Sequence, residues 1–323
     1  MLQVEKQLTQ KFELVTREYV EHAICRALEQ RILPDYGPFF GDDGVQNWLA
    51  LEASGSMPFS RRLTTFLKRS LPYFAEHFIP EFSLVSIGAG DGTKDRILFE
   101  SLLHIGNPSY YSIDISSGMI DTALNSVADL NAQKTGLVGF FEDLPILKRL
   151  WCPPVLLCLL GNKFSDYNGD YVLSLVRAEL EPPDLFLFDA RLFREDDEEY
   201  GECFASPSYV RFQLAPLIRR GLNPGAVEYV VSSMCEELAV GPVRRVDRTL
   251  RILRETVVAF NTGSVSLLPG ERVELGSTYQ YTLEQIREFV CRNRLSLVEQ
   301  HVDQHYEHAL FMLRRPAENR DLL

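Results

Sequence analysis

Between Phe82 and Ala190 short apolar runs alternate with amphipathic stretches. FSLVSIG, SYYSIDIS, TGLVGFFEDL, PPVLLCLLGN and PDLFLFDA each read as a strand. TKDRILFESLLHIG, SGMIDTALNSVADL, a short piece near PILKRLW and NGDYVLSLVRAEL read as the helices between them. Strands that are apolar throughout are covered on both faces, which predicts a parallel sheet between two helical layers. Right-handed crossovers then bring the C-terminal ends of all the strands to one edge, where ligands of such sheets bind.

The flanking segments follow other rhythms. In residues 1–32, Phe12, Val15, Tyr19, His22 and Ala23 recur at three and four, which predicts a helix. Residues 36–60 are rich in breakers, DYGPFFGDDG and EASGSMP, and read as loop. A helix capped by Ser60 is expected to run to about His77. Past Leu192 the alternation stops. The acidic run at 195–199, in FREDDEEYGE, reads as a solvated loop, SPSYVRFQLAPLIRRGL as a helix, and residues 227–281 as antiparallel strands with turns. TLEQIREFVCRNRL is again an amphipathic helix. SLVEQHVDQHYEHALFMLRR closes the sequence as two strands with a hairpin loop, which makes His301, His305 and His308 exposed loop histidines and not metal ligands.

Composition narrows the class. The chain has 323 residues, 46% hydrophobic and 24% charged, with a net charge of −12 and a pI near 5.1. Its basic stretches, LIRRG and VRRVDR, are short and isolated, which argues against a nucleic-acid partner. The six cysteines form no CxxC pair and read as reduced thiols of a cytoplasmic protein, with no metal site. The charged N-terminal residues do not read as a signal peptide, and no stretch approaches the roughly 18 apolar residues of a membrane span. A monomer is the default, since no heptad seam stands out.

The chemistry gathers at the strand ends. The first strand closes on Gly88-Ala89-Gly90-Asp91-Gly92. Glycines there remove Cβ atoms, either for a tight helix–sheet turn or so that backbone can touch a nucleotide-like ligand. Asp114 closes the second strand, where a carboxylate can accept hydrogen bonds from two ribose hydroxyls. Phe141, Glu142 and Asp143 close the third, where an adenine could lie against a ring and meet a carboxylate. The early third glycine and the FFED segment argue against a NAD-dependent oxidoreductase. No GxSxG elbow supports a hydrolase. Asp189, in LFDAR, either touches the ligand or ends its strand.

This set resembles that of class I S-adenosylmethionine-dependent methyltransferases. LVSIGAGDGTKDRILFESL, YYSIDISSGMIDTA, LCLLGN, DLFLFDARL and LPGERVELGSTYQYTLEQIREFV…HALFMLRR resemble, more narrowly, the histidine-specific Nα-methyltransferase family of ergothioneine biosynthesis. The resemblance implies an α/β Rossmann-like sheet with a second α+β substrate-binding domain. The sheet domain would be 61–192 plus 280–323, and the substrate domain 1–60 plus 193–279. The donor would be S-adenosyl-L-methionine, leaving S-adenosyl-L-homocysteine, with Gly88, Ala89, Gly90, Asp91, Asp114, Phe141, Glu142, Asp143 and Gly161 around it. Asp166, Asn162 and Tyr167 would border the transfer centre, and Asp166, Asn168, Tyr209 and Thr278 would face a small amine or amino acid. The substrate positions depart from the family pattern. Asp166 stands where the family's G-x-T-I-x-N has its asparagine. Gly276-Ser277-Thr278 stands at the family's E-x-S, so that the glutamate is absent unless Glu274 substitutes for it after a register shift. MPFSRR replaces Tyr-Tyr-Pro-Thr-Arg. The resemblance therefore implies an N-methyltransferase whose substrate is not histidine. The rivals are a catalytically silent binding module and an O- or C-methyltransferase of the same fold.

Overall fold

The computed structural model describes residues 9–195, 199–303, 305 and 307–317. The N-terminal elements are β1 (Thr9–Glu13), α1 (Arg17–Glu29), α2 (Asp42–Ser54) and α3 (Pro58–Ala75). The alternating block follows as β2 (Ser83–Ile87), α4 (Thr93–Leu103), β3 (Tyr110–Asp114), α5 (Ser117–Ser126), β4 (Lys134–Val138), α6 (Leu144–Leu147), β5 (Val155–Leu159), α7 (Gly169–Glu179) and β6 (Leu185–Arg191). Then come α8 (Glu199–Ala205), α9 (Pro207–Arg219), β7 (Val227–Leu238), β8 (Gly241–Ile252), β9 (Thr256–Phe260), β10 (Gly263–Leu267) and β11 (Arg272–Gln280). The last are α10 (Leu283–Arg292), β12 (Ser296–Val302) and β13 (His308–Arg314).

The main sheet has eight strands in the order β1-β4-β3-β2-β5-β6-β13-β12. Strands β1 to β6 are parallel, and at one end β13 pairs antiparallel with β6 and β12 antiparallel with β13. This is the Rossmann-like arrangement the alternation predicts. Every residue of β2, β4, β5 and β6 is buried, because both faces carry helices. Phe74 of α3, Leu98 and Phe99 of α4 and Ile120 of α5 fill one side. Val172 and Val176 of α7 and Phe289 of α10 fill the other. From β2 the chain winds outward to β3 and β4, then returns to lay β5 on the opposite flank. The loops after β2 and β5 therefore diverge, and a crevice opens between them.

A second layer sits over that edge. Strands β11-β8-β7 form an antiparallel sheet and β9-β10 a hairpin. They share a core with α1 and α9 built on Ile24, Leu28, Leu217, Leu250, Val258 and Val273.

Four expectations are corrected. Residues 9–13 are not helical but add an edge strand beside β4. Phe12 and Tyr19 of the expected stripe are 46% and 59% exposed, and His22 is exposed as well. The buried face of α1 is Val20, Ile24, Cys25 and Leu28, a stripe one position over. Residues 42–54 are helical, since the breakers Gly41 and Gly55 stand at its two ends with φ of 85° and 73°. Helix α3 starts at Pro58, without the Ser60 cap. In the C-terminal hairpin, His308 is buried on β13 and His301 is half-buried on β12, leaving His305 as the exposed loop histidine. Residues 196–198 of the acidic run lie outside the described residues. Among the described residues, no helix is long and apolar enough to cross a membrane, no group of side chains could hold a metal ion, and the six cysteines are unbridged.

Candidate active site

The loop Gly88–Gly92 turns the chain from β2 into α4 with φ of 64°, 60° and 75° at its three glycines. They have different jobs. A Cβ on Gly88 or Gly90 would meet nothing closer than 3.9 Å. A Cβ on Gly92 would lie 2.1 Å from Ser126 Oγ and 3.0 Å from Ala123 Cα, so this glycine seats α4 against α5. Asp91 holds the helix start, accepting from the Thr93 amide at 2.9 Å and the Thr93 hydroxyl at 2.7 Å.

Asp114 lies across the crevice at the end of β3. One carboxylate oxygen accepts from the Ser116 amide at 2.8 Å. Burial pushes its pKa up to about 6 against that hydrogen bond. Phe141 and Glu142 follow β4 along the same edge, and Glu142 accepts from the Tyr171 hydroxyl at 3.0 Å. Asp143 turns inward to accept from the Phe140 amide at 2.9 Å. After β5, the buried Asp189 receives the amides of Gly161 and Asn162 at 2.6 and 2.9 Å. Asp189 thus fixes the turn and does not line the crevice. Asn162, at φ 62°, has its side-chain oxygen engaged by Ser165 Oγ at 2.8 Å and the Arg191 amide at 2.7 Å.

The crevice continues under the second layer as one cavity of about 400 Å³. Its lining includes Gly88, Gly90, Asp91, Asp114, Phe141, Glu142, Gly161, Asn162, Asp166, Tyr167, Tyr209 and Thr278. Sequence positions far apart are thus brought to one wall. Three expected site residues are left out. Ala89 is buried and absent from the lining, Asp143 caps its turn, and Asn168 caps α7 by accepting from the Asp170 amide at 2.9 Å. Glu274 is exposed on β11 and does not stand in for a cavity glutamate.

Four residues that the sequence reading missed complete the far end. Arg248, on β8, donates to Thr278 Oγ1 at 2.7 Å, with its guanidinium over the Phe204 ring at 4.7 Å. The Thr278 hydroxyl reaches Asp166 at 3.3 Å, and the other Asp166 oxygen accepts from Lys163 at 3.2 Å. Asp35 faces this chain from the loop after α1. Trp48 closes the wall from α2. A bulge in β11 makes room for them, because β11 slips register against β8 between Glu274 and Ser277, and Gly276 sits there at φ 112°. A Cβ on Gly276 would lie 2.4 Å from Asp35 Oδ1 and 2.9 Å from Arg248 Nη2. One signal for Arg248 was available. It alternates in phase with the buried Val246, Leu250 and Ile252, which places a charge on the buried face of a strand.

The charges at this end compensate one another. Burial disfavours the Lys163 and Arg248 cations. Asp166 and Asp35 outweigh it for Lys163, with Asp114 adding to them, and Tyr209, Asp166 and Asp35 do so for Arg248, so both pKa values are raised. Asp35 is pushed up to about 6, by burial first and by Asp166 second, against Arg248 and Lys163. Its ionised form therefore strains the fold above that pH. Asp35→Asn is expected to raise unfolding free energy at pH 7.5 by about 1–3 kcal/mol, with the gain vanishing towards about pH 3, below the ordinary aspartate value, where native and unfolded states both bind the proton. Denaturant melts at the two pH values check this; an equal effect at both contradicts it.

A family model described as histidine-specific, S-adenosylmethionine-dependent methyltransferase matches residues 20–192. The chain belongs to this family. It is a methyltransferase with S-adenosylmethionine as donor, as the glycine loop and Asp114 led us to expect. No curated protein matches it significantly in sequence. Among solved structures it is similar to an S-adenosylmethionine-dependent methyltransferase from Clostridium acetobutylicum, at 12% identity and a TM-score of 0.42, over 80% of this chain and 92% of that one. It is also similar to the magnesium protoporphyrin IX methyltransferase of Synechocystis, crystallised with S-adenosylhomocysteine, at 11% identity and a TM-score of 0.45, over 86% and 96% of the two chains. The crevice fits the donor of this methyltransferase. It offers backbone without Cβ atoms at Gly88 and Gly90, a half-buried carboxylate at Asp114 and an aromatic wall at Phe141.

Proposed function

We propose that this chain transfers a methyl group to a nitrogen of a small amine or amino acid. S-adenosylmethionine supplies the methyl group on a sulfonium sulfur, already activated for displacement. The protein's task is then to align the acceptor and leave its nitrogen unprotonated. Gly88 and Gly90 let backbone approach the donor, with Asp91 and Gly161 beside them. Asp114 receives its ribose, and Phe141 and Glu142 flank its adenine. Apart from β1, which belongs to the main sheet, residues 1–60 and 193–279 act as the acceptor-binding unit, and 61–192 with 280–323 as the donor-binding one.

The observation that carries this reading is the carboxylate pair Asp35 and Asp166, set beside Lys163 and Arg248 in an aromatic-walled pocket continuous with the donor crevice. Carboxylates and ring faces both favour a cationic amine. Tyr167 and Tyr209 contribute ring walls, and Asn162 borders the pocket while holding its own turn. A cationic amine would give the Asp35 carboxylate the hydrogen-bond donor it lacks, while Asp166 is already engaged by Lys163 and Thr278.

The test is S-adenosylhomocysteine release from S-adenosylmethionine with each standard amino acid, putrescine and spermidine. Release with a nitrogen acceptor supports the reading. Release only with hydroxyl acceptors, or binding of S-adenosylhomocysteine without turnover on any compound, contradicts it.

A further inference from the structure

The pocket holds two carboxylates, and they are not equivalent. Both oxygens of Asp166 are engaged, one by Thr278 at 3.3 Å and the other by Lys163 at 3.2 Å. It is the centre of a relay that ties β8, β11 and the turn after β5 together. Asp35 comes from the breaker-rich loop between α1 and α2 and is walled by the cavity. Among the described residues its carboxylate receives no hydrogen bond and forms no ion pair within 4.0 Å. A half-buried carboxylate without a donor still carries a desolvation cost, and the fold keeps it next to Arg248 Nη2 across the space that Gly276 leaves empty. That is the arrangement of a group that waits for a ligand.

Resting on the N-methyltransferase reading, we propose that Asp35, and not Asp166, receives the acceptor ammonium and takes its proton. The proton leaves the nitrogen for a carboxylate oxygen of Asp35. The nitrogen keeps the electron pair that forms the new bond to the methyl carbon. The pair of the broken carbon–sulfur bond stays on the departing sulfide. Neutralised Asp35 is tolerated because its surroundings already favour the protonated form: burial, then Asp166, work in that direction, while Arg248 on β8 and Lys163 beside Asp166 work against it. Tyr167 and Tyr209 feel the Asp35 charge in turn, both held neutral by burial. A base poised in this way is ionised at neutral pH and still basic enough to accept a proton.

The experiment compares wild type, Asp35→Asn and Asp166→Asn on an equimolar pool of the standard amino acids, putrescine and spermidine, with S-adenosylmethionine saturating. Wild-type release of S-adenosylhomocysteine should rise with pH through a midpoint near 6. Asp35→Asn should lose at least 100-fold in rate together with that acidic limb, yet bind S-adenosylhomocysteine within threefold of wild type by calorimetry. Independently, carbon-13 NMR of aspartate-labelled protein loaded with S-adenosylhomocysteine should show the Asp35 carboxyl titrating near 6, and its midpoint should fall in Asp166→Asn as the like charge is removed. Full activity or an unchanged acidic limb in Asp35→Asn overturns the assignment. So does a wild type that binds S-adenosylhomocysteine and releases none on the pool. A wild type that does not bind S-adenosylhomocysteine at all overturns the donor site instead.

Discussion

Gly92→Ala is expected to destabilise the fold by about 2–5 kcal/mol, a large share of a typical domain's stability. Two costs add. The residue sits at φ 75°, where an L side chain is strained by about 1–2 kcal/mol. Its Cβ would also stand 2.1 Å from Ser126 Oγ and 3.0 Å from the Ala123 backbone, so α4 and α5 must separate, at about 1–3 kcal/mol for an overpacked contact. Gly90→Ala meets nothing closer than Trp48 Nε1 at 4.0 Å and should cost only the conformational part. Denaturant titration of the two variants separates the roles. Equal destabilisation would contradict the assignment of Gly92 to packing and Gly90 to the crevice.

Asp114→Ala is expected to weaken S-adenosylhomocysteine binding by about 1–3 kcal/mol, or about 5–150-fold, through loss of charge-assisted hydrogen bonds to ribose. The carboxylate already holds the Ser116 amide and keeps acceptor capacity for a ligand hydroxyl. Burial raises its pKa to about 6, so the accepting, ionised form is present above that value. Wild-type affinity should therefore strengthen as pH rises through about 6, and the variant should lose this dependence. Removing a charge whose pKa the fold raises should also leave the variant no less stable at pH 7.5, which separates a binding defect from misfolding.

How legible these features were in sequence depended on how local their cause is. The sheet and its helices were readable because apolar runs and amphipathic spacing report burial directly, and the glycines and Asp114 were readable because they stand at strand ends. Residues 9–13 misled because an edge strand buries too little to impose alternation, and its one large apolar residue, Phe12, fits a helical stripe by chance. Helix α2 was hidden by the glycines that delimit it. At the far end of the cavity the sequence placed Asp166, Tyr209 and Thr278 on the wall, but Asp35 and Arg248 are joined only by the tertiary fold. One looked like part of a turn and the other like part of a small basic patch. Asn168 and Asp143 have the right chemistry for a ligand, and local caps absorb it.

The most direct test of the central claim, that the β2–β5 crevice with Asp114 is the donor site, is calorimetric titration of the wild-type protein and Asp114→Ala with S-adenosylhomocysteine at pH 7.5. We predict one ligand bound per chain and an affinity lower by about 5–150-fold in the variant. No binding by the wild type, or equal affinity in the two proteins, would contradict the account.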